Sequence, residues 1–251
     1  MEIKKMIDKW KVLSVIPARK GSEGLPGKNY KLFCGRPLFY WSLDASVNSS
    51  AVDETVVSTN DFKIIDLTDK YNKQYNKDVH IIWRPENICQ SDSRSEDALI
   101  HAYHNRISEY DIDYDIIVML QPTSPIRKDG LIDDTLAIMV NNKRNSIMTV
   151  SKHTPFFAKA SGDNEYNIEW TYDINNRKMR QELSEDEMFF HDDGNLYAIF
   201  TNHLVSQNLR FTKDVILYRN DKYSSWQIDD EDDFFIMENI KYTLRDKDIL
   251  A

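Results

Sequence analysis

Short apolar runs recur along the chain and predict the strands of a sheet. β-branched residues are frequent in these runs, and polar or turn-forming residues bound them, which is typical of buried strands. The runs lie at residues 12–16, 55–58, 79–83, 116–120, 147–150, 196–200 and 215–218. We therefore expect a sheet whose strands come from most of the length of the chain.

Stretches between these runs carry apolar residues at helical spacing. One stretch contains Ala98, Leu99, Ala102, Tyr103 and Ile107, and another contains Ile132, Leu136 and Met139. Ser93 or Ser95 is expected to cap the first of these two helices, because serine side chains accept hydrogen bonds from the first backbone amides of a helix.

A last helix is expected over residues 232–244, with Phe235, Met237 and Ile240 near one side. Strands that alternate with helices predict right-handed parallel crossovers. The expected fold class is therefore a three-layer α/β sandwich with a mainly parallel, Rossmann-like sheet.

The pattern changes between residues 152 and 192. This stretch is polar and aromatic and shows no clear crossover helix; its aromatic residues include Phe156, Phe157, Trp170 and Tyr172. A lone aromatic-rich arm would expose an apolar patch, so we expect it to protrude and to pack against a partner subunit. The expected organisation is an α/β domain of residues 11–151 and 193–251, with residues 152–192 as an inserted dimerisation arm.

Composition narrows the class of protein. The 251 residues are 41% hydrophobic, enough for a core, and the net charge of −9 argues against a general nucleic-acid binder, which needs a basic face. Cys34 and Cys89 form neither a disulfide framework nor a zinc motif, which suits a reducing compartment. There is no apolar run of about 18 residues and no signal-peptide core in residues 1–10. We expect a soluble, cytoplasmic protein that binds neither nucleic acid nor membrane.

A glycine-rich cationic loop follows the first apolar run. Its glycines are Gly21, Gly24 and Gly27, and its cations are Arg19, Lys20 and Lys28. Glycines let the backbone turn its N–H groups toward an anion, and many α/β proteins hold nucleotide phosphates on such a loop at the carboxyl edge of the sheet. The loop therefore predicts a phosphate site; a merely flexible surface loop is the alternative.

The spacing within this loop differs from two common phosphate-binding motifs. Five residues separate Gly21 from Gly27, where a P-loop has four, and Asn29 stands where a P-loop has Ser or Thr after its Lys. The glycine order also does not fit the dinucleotide motif GxGxxG.

The loop sequence PARKGSEGLPGKN is followed by further short blocks. These are GRPL at residues 35–38, VSTND at 57–61, RPE at 84–86 with SD at 91–92, LQPTSPIR at 120–127, RQ at 180–181, DGNLY at 193–197 and IDDEDD at 228–233. In this order and spacing the blocks resemble the CMP-sialic acid synthetases (acylneuraminate cytidylyltransferases). The resemblance implies a fold of the nucleotide-diphospho-sugar transferase type. It also implies an enzyme that joins CTP to a nonulosonic acid and releases pyrophosphate.

The resemblance implies which residues hold the nucleotide. In the loop these are Ala18, Arg19, Gly21, Ser22, Gly24, Lys28 and Asn29, and along the cytosine they are Arg84, Ser91 and Ser93. An arginine can donate to two phosphate oxygens and a lysine acts as a point charge, so Arg19 and Lys28, with Asp229, are the expected catalytic residues. The alternatives are a solvated basic loop and an ordinary polar loop that caps a helix.

For the sugar, the resemblance implies Gln121 and Thr123, with Arg180 reaching the site from the neighbouring subunit. An arginine suits the C1 carboxylate of a nonulosonic acid; a structural salt bridge is the alternative. His191 and Asp193 are also expected at the sugar, at positions where the family usually has Arg and Asn.

The acidic run near the C-terminus resembles the family's metal-binding pattern D-I-D-x-x-x-D. Gln227 replaces the first aspartate, so the expected Mg²⁺ or other divalent cation would be held by Asp229, with Gln227 offering a carbonyl oxygen. The other reading is a helix N-terminus stabilised by carboxylates; we expect Asp229 on the metal, and Asp232 and Asp233 mainly capping. The family usually has Lys where this chain has Glu23, which would turn outward, pair with a lysine or approach the metal.

Two other functions stay open on the sequence. A cytidylyltransferase for the shorter 3-deoxy-octulosonic acid would share the fold, and Gln227 and Glu23 suggest a non-catalytic nucleotide-binding relative. The expected partners are CTP, a keto-sugar acid and a second copy of the chain.

Overall fold

The computed structural model describes residue 7 and residues 9–21, 24–161 and 167–246. Its strands are β1 (Val12–Pro17), β2 (Leu32–Phe33), β3 (Arg36–Pro37), β4 (Glu54–Thr59), β5 (Val79–Trp83), β6 (Ile116–Met119), β7 (Ser146–His153), β8 (Ala158–Ser161), β9 (Asn167–Trp170), β10 (Phe189–Phe200) and β11 (Ile216–Arg219). Its helices are α1 (Tyr40–Val47), α2 (Phe62–Tyr75), α3 (Ser95–Tyr110), α4 (Leu131–Asn141), α5 (Thr201–Gln207) and α6 (Glu231–Asp246).

The apolar runs that predicted strands all overlap strands, and the predicted helices correspond to α3, α4 and α6. The predicted cap of α3 is wrong: Arg94 occupies the N-cap position, no side chain caps the helix, and Ser95 is already helical. The predicted face of α6 is wrong at Phe235, which is 68% exposed while Phe234 and Met237 are buried. Neighbouring helical residues point about 100° apart, so a shift of one residue turns the face away.

The main sheet has the strand order β11-β7-β10-β6-β1-β4-β5. Parallel pairs join β1 to β4 and β6, β4 to β5, and β7 to β11, whereas β10 runs antiparallel between β6 and β7. The mainly parallel sheet is therefore confirmed. Because β1, β4, β5 and β6 run in the same direction, the loops that follow them meet at one edge.

Alternate residues of β1 point into two separate cores. Val12 and Ile16 pack with residues of α1, α2 and α4, whereas Leu13 and Val15 pack with residues of α3 and α5. Side chains alternate along a strand, so the two cores lie on opposite faces of the sheet. Helices thus cover both faces, which confirms the three-layer α/β sandwich.

The helix α6 packs on a third apolar cluster. Phe234 and Met237 of this helix lie with Phe33 of the β2–β3 hairpin and with Ile228, just before the helix. The rings of Phe33 and Phe234 meet edge to face, with centroids 5.6 Å apart. This packing fixes the segment that enters α6. No helix in the described part of the chain combines the length and apolar character needed to cross a membrane.

The strands β7 and β10 carry the aromatic arm. Their pairing continues until His153 lies opposite Phe189, and the chain leaves the main sheet between these two residues. Within the arm, β8 and β9 form an antiparallel hairpin whose strand residues are all exposed. The arm therefore has its own small sheet, separate from the main one.

Candidate active site

Arg19 ties the loop after β1 to the loop after β5. Its Nη1 donates to the backbone carbonyls of Cys89 (2.9 Å) and Gln90 (2.5 Å). The side-chain amide of Asn29 donates to the carbonyl of Arg19 (3.2 Å), which holds the two ends of the loop together. The Nε and Nη2 groups of Arg19 have no acceptor among the described residues, so they can donate to a ligand.

Lys28 joins the same loop to the segment that enters α6. It is 7% exposed. Its Nζ donates to the carbonyl of Ile228 at 2.6 Å and lies 3.6 Å from Oδ1 of Asp229. Burial lowers the pKa of Lys28, and the Asp229 carboxylate opposes that shift by favouring the charged ammonium. Two regions far apart in the sequence thus place a cation and a carboxylate side by side.

Gly24 lets the loop lie directly on the backbone of Asp229. A Cβ atom at Gly24 would lie 2.4 Å from the Asp229 carbonyl oxygen, a distance that real side chains do not tolerate. Any larger residue would push the loop and the acidic segment apart. The residues expected to hold phosphate and those expected to hold a metal therefore lie in contact.

A cavity of about 300 Å³ lies between this loop and the carboxyl ends of the strands. This edge is where ligands bind in open α/β sheets. The cavity is lined by Pro17, Arg19, Gly21, Lys28, Asn29, Arg84, Ser93, Arg94, Ser95, Gln121, Pro122, Thr123, Gln227 and Asp229.

Arg84 is a rigid part of the cavity wall. It is 4% exposed. Its Nε and Nη2 donate to the hydroxyl (3.0 Å) and the carbonyl (2.8 Å) of Ser58 in β4. Burial lowers the pKa of Arg84 to about 10, and the nearby Arg19 acts in the same direction. Arg84 is thus held by the sheet itself, whereas Arg19 is held by a loop.

Gln121 and Gln227 meet at Gly194. A Cβ atom at Gly194 would lie 2.4 Å from Oε1 of Gln121 and 2.6 Å from the amide of Gln227, and the φ angle there is +64°. Only glycine combines that backbone angle with so little space. The carbonyl of Thr123 accepts a hydrogen bond from the Ile228 N–H (2.8 Å), which joins the β6 loop to the segment before α6. Both glutamines therefore face the cavity from fixed positions.

The acidic run divides between the cavity and the start of α6. The Asp233 carboxylate accepts from the N–H groups of Asp229 (3.0 Å) and Asp230 (3.4 Å), and the Asp230 carboxylate accepts from the Asp233 N–H (2.9 Å). Asp233 caps the helix as predicted, but its partner is Asp230 rather than Asp232. The Asp229 side chain is 78% exposed and lines the cavity beside Lys28.

The cavity offers few protein ligands for a divalent cation. Across the described residues, no three His, Cys, Asp or Glu side chains are placed to hold a metal together. The Asp229 carboxylate and the Gln227 amide nevertheless line the same cavity. Mg²⁺ is often held by one or two carboxylates together with waters and substrate phosphates. The residues present therefore fit a cation that binds along with a nucleotide.

Three residues expected at the nucleotide do not line the cavity. Ala18 is fully buried and its N–H donates to the Ser58 carbonyl (2.9 Å), so it belongs to the sheet. Gly24 lies against Asp229, and Ser91 is exposed outside the cavity. Ser22, also expected there, and Glu23 lie outside the described residues.

Asp193 does not agree with its expected role at the sugar. It is fully buried. Its carboxylate accepts hydrogen bonds from the Thr149 hydroxyl (2.6 Å), the Asn195 N–H (3.1 Å) and the Asn220 amide (3.0 Å). Burial raises the pKa of Asp193, and these hydrogen bonds oppose the shift. Asp193 thus links β7, β10 and the segment after β11, and does not face the cavity.

His191 and Arg180 also lie away from the cavity of their own chain. His191 is exposed in β10 opposite Ser151, and its ring centroid is 6.0 Å from that of His153. Its expected sugar contact therefore does not agree with its place at the base of the arm. Arg180 lies exposed in a single helical turn of the arm, and its expected role in a neighbouring subunit stays a prediction.

Pro17 and Pro122 line the cavity although they were not expected there, and Arg94 and Ser95 line it beside Ser93, in the loop of residues 91–95 that the resemblance places along the cytosine. The two prolines end the apolar runs of β1 and β6, where ligands of α/β sheets bind. Arg94 is the cation of the polar stretch SDSRSED, beside the residues expected at the cytosine. The positive charge of Arg94 in this polar stretch could have indicated that it lies at the cavity.

Several proteins are similar to this chain. The CMP-N,N'-diacetyllegionaminic acid synthase of Legionella pneumophila is 35% identical over 129 residues, 51% of this chain and 53% of that protein. The N-acylneuraminate cytidylyltransferase of Escherichia coli is 24% identical over 225 residues, 89% of this chain and 50% of that protein. The pseudaminic acid cytidylyltransferase of Campylobacter jejuni is 28% identical over 188 residues, 74% of this chain and 77% of that protein. The first two alignments span about half the length of the relative.

Solved structures confirm the fold. The CMP:2-keto-3-deoxy-manno-octonic acid synthetase complexed with CTP has a TM-score of 0.66 at 15% identity, over 93% of this chain and 99% of that chain. The 4-diphosphocytidyl-2C-methyl-D-erythritol synthase of Anaerococcus prevotii has a TM-score of 0.64 at 13% identity, over 95% and 99%. The family model described as cytidylyltransferase matches residues 13–247. Because that match covers most of the chain, this protein belongs to the cytidylyltransferase family.

Proposed function

We propose that this protein transfers the cytidylyl group of CTP to a nonulosonic acid. The relatives named above are a diacetyllegionaminic acid synthase, an N-acylneuraminate cytidylyltransferase and a pseudaminic acid cytidylyltransferase, which supports this substrate class. The observation that carries the proposal is the contact between the glycine-rich loop and Asp229, through Lys28 and Gly24, at one cavity.

In the proposed reaction, the anomeric hydroxyl oxygen of the sugar attacks the α-phosphorus of CTP. A new oxygen–phosphorus bond forms, the bond from the α-phosphorus to the bridging oxygen breaks, and pyrophosphate leaves with that electron pair. The hydroxyl proton is lost to solvent. Phosphoryl-type transfers depend mainly on positioning and on charge stabilisation. The protein therefore has to align two anionic substrates and balance their charge.

Arg19 and Lys28 supply the positive charge on the phosphate side. The Nε and Nη2 groups of Arg19, which have no acceptor among the described residues, can donate to two phosphate oxygens. The ammonium of Lys28 is buried and fixed by Ile228, so it needs little reorganisation when charge develops on the phosphates. Gly21 and Asn29 complete this side of the cavity.

Asp229 and Gln227 would hold a divalent cation such as Mg²⁺ beside the phosphates. When bound, such a cation neutralises developing charge on the phosphate oxygens. Asp229 also faces Lys28 at 3.6 Å, so its carboxylate keeps the ammonium charged within a buried site. Gln121 and Thr123, at the end of β6, would hold the sugar opposite the phosphates.

Pyrophosphate release tests the proposed function. The full chain is incubated with CTP, Mg²⁺ and, in separate reactions, N-acetylneuraminic acid, N,N'-diacetyllegionaminic acid, pseudaminic acid or a 3-deoxy-octulosonic acid. We expect release with a nine-carbon acid. Release only with the octulosonic acid would shift the substrate class, and CTP binding without any release would indicate a non-catalytic relative.

We propose that the arm pairs two copies of the chain, and that residues 11–151 with 193–251 form the nucleotidyltransferase domain. The arm exposes large apolar side chains that a lone chain would leave in water: Phe157, Ile168, Trp170, Ile174 and Met179. Large exposed apolar side chains that gather in one segment support an interaction site there. Light scattering of the full chain tests the pairing, and a fully active monomer would contradict it.

A further inference from the structure

We propose that Arg94 binds the carboxylate of the keto-sugar acid from within the same chain. This inference rests on the proposed function and adds a specificity-determining residue to it. Arg94 lies at the N-cap of α3 and lines the cavity. Its side chain is 48% exposed, so its charge reaches the cavity, whereas Arg84 on the same wall is 4% exposed.

The guanidinium of Arg94 is anchored through one of its nitrogens. Its Nη2 donates to the carbonyl of Asn208 (2.8 Å) and lies 3.5 Å from Oε1 of Glu96. Glu96 is 5% exposed, and the same oxygen is 3.4 Å from Nη1 of Arg210. One carboxylate therefore faces two guanidinium groups, which leaves a positive charge for an anion.

Two nitrogens of Arg94 remain available to donate hydrogen bonds. Its Nε and Nη1 groups have no acceptor among the residues that the structure describes. The planar guanidinium can donate two parallel hydrogen bonds to a carboxylate. In contrast, Nε and Nη2 of Arg84 already donate to Ser58. The ammonium of Lys28 donates to the Ile228 carbonyl and pairs with Asp229. Arg94 is thus equipped to bind a planar anion.

The position of the anchor indicates which anion it is. Asn208 ends α5, which packs on β10 and on α3, and β10 is the neighbour of β6 in the sheet. The end of β6 supplies Gln121 and Thr123, whereas Arg19 and Lys28 belong to the loop after β1. Arg94 is therefore held toward the side of the cavity assigned to the sugar, away from the phosphate loop. A phosphate of CTP would share the chemistry, and the experiment separates the two.

Calorimetry with an acid and its neutral analogue tests the inference. The wild-type chain, Arg94→Met and Arg94→Lys are titrated, in the presence of a non-cleavable CTP analogue, with the three nonulosonic acids named above and with the C1 amide of each. We expect wild type to prefer an acid over its amide at least about tenfold, as a hydrogen-bonded ion pair supplies. Arg94→Met should lose this preference, and Arg94→Lys should keep part of it.

Arg210→Met is the matched control. Arg210 shares Glu96 with Arg94, and it stacks over Tyr197 (4.8 Å), but it does not line the cavity. We expect this variant to lose thermal stability and to keep the preference for the acid. A purely structural role of the Glu96 network would instead give the same binding change in both variants.

Three results would overturn the inference. An unchanged acid preference in Arg94→Met would remove Arg94 from the carboxylate site, and a loss of affinity for the CTP analogue alone would place it on the nucleotide. Wild type that binds no acid would contradict it as well. Pyrophosphate release by the wild-type chain shows which proposal has failed. If wild type releases pyrophosphate and Arg94→Met keeps the acid preference, only this inference is wrong. If wild type releases no pyrophosphate with any sugar, the proposed function is wrong.

Discussion

The phosphate side of the cavity and the sugar side are built differently. On the phosphate side, Lys28 is 7% exposed and Gly24 lies against the Asp229 backbone, so loop and acidic segment form one packed unit. Of the residues expected at the sugar, His191 and Arg180 are exposed and lie on or near the arm, away from the cavity. The chain thus brings Arg19, Lys28 and Asp229 together at the cavity, whereas it places His191 and Arg180 away from it.

Loss of the Lys28 ammonium should lower turnover more than any other change considered below. We expect Lys28→Met to lower turnover about 100-fold or more, because a preorganised charge at the phosphates is lost from a water-poor site. The measurement is pyrophosphate release under saturating CTP, with the melting temperature as a check on folding.

Lys31→Met is the matched control for that change. Lys31 pairs with Glu231 and does not line the cavity. It should keep wild-type turnover. Equal losses of turnover in the two variants would mean that turnover depends on the net charge of the protein rather than on the position of the Lys28 ammonium.

Changes at the metal pair should come next in size. We expect Asp229→Asn to lower magnesium-dependent turnover strongly but less than Lys28→Met does, because the carboxylate that lines the cavity is lost while substrate phosphates can still bind the cation. Gln227→Asp should preserve or raise turnover. Turnover is measured as Mg²⁺ is titrated in and then removed with a chelator. Asp232→Asn, in the first turn of α6, is the control and should titrate as wild type does. A titration that is indifferent to both site changes would contradict the assignment.

Asp193 should affect stability rather than catalysis. Burial raises its pKa above the ordinary 3.8, so the folded chain holds this proton more tightly than the unfolded chain does. Its contribution to the free energy of unfolding is therefore largest at low pH and declines as pH rises from 3.8 through the raised value. Asp193→Asn should flatten the curve of melting temperature against pH in that window. An unaltered curve would show that the buried carboxylate titrates normally.

Disruption of the arm should have the smallest effect on the affinity for CTP. We expect Trp170→Ser with Ile174→Ser to shift the chain toward monomer, because both side chains are large and exposed. Affinity for CTP should stay unchanged while the KM for the sugar rises. Light scattering measures the oligomeric state, calorimetry the affinity for CTP, and pyrophosphate release the KM for the sugar. A loss of CTP affinity that accompanies the rise in KM would show that nucleotide binding also depends on the arm.

The sheet and the position of the glycine-rich loop at its edge could be predicted because their signals are local. Buried strands appear as apolar runs, and the glycines and cations of the loop are consecutive in sequence. The cap of α3 and the exposed Phe235 were mispredicted, since a boundary shift of one residue changes both.

The placement of the other expected site residues depends on contacts between distant parts of the chain. Asp193 is buried because Thr149 and Asn220 meet it across three segments, and no local pattern reports that. Gly194 is needed because Gln121 and Gln227 converge on it. Arg94 faces the cavity because the end of α5 anchors it. Such placements follow from tertiary packing, which spacing in one sequence does not encode.

A crystal of the full chain soaked with CTP and Mg²⁺ tests the central claim most directly. We predict density for the triphosphate within hydrogen-bonding distance of Arg19 and Lys28, with the cation between the phosphates and Asp229. Nucleotide bound elsewhere, with the cavity between the glycine-rich loop and Asp229 left to solvent, would contradict it.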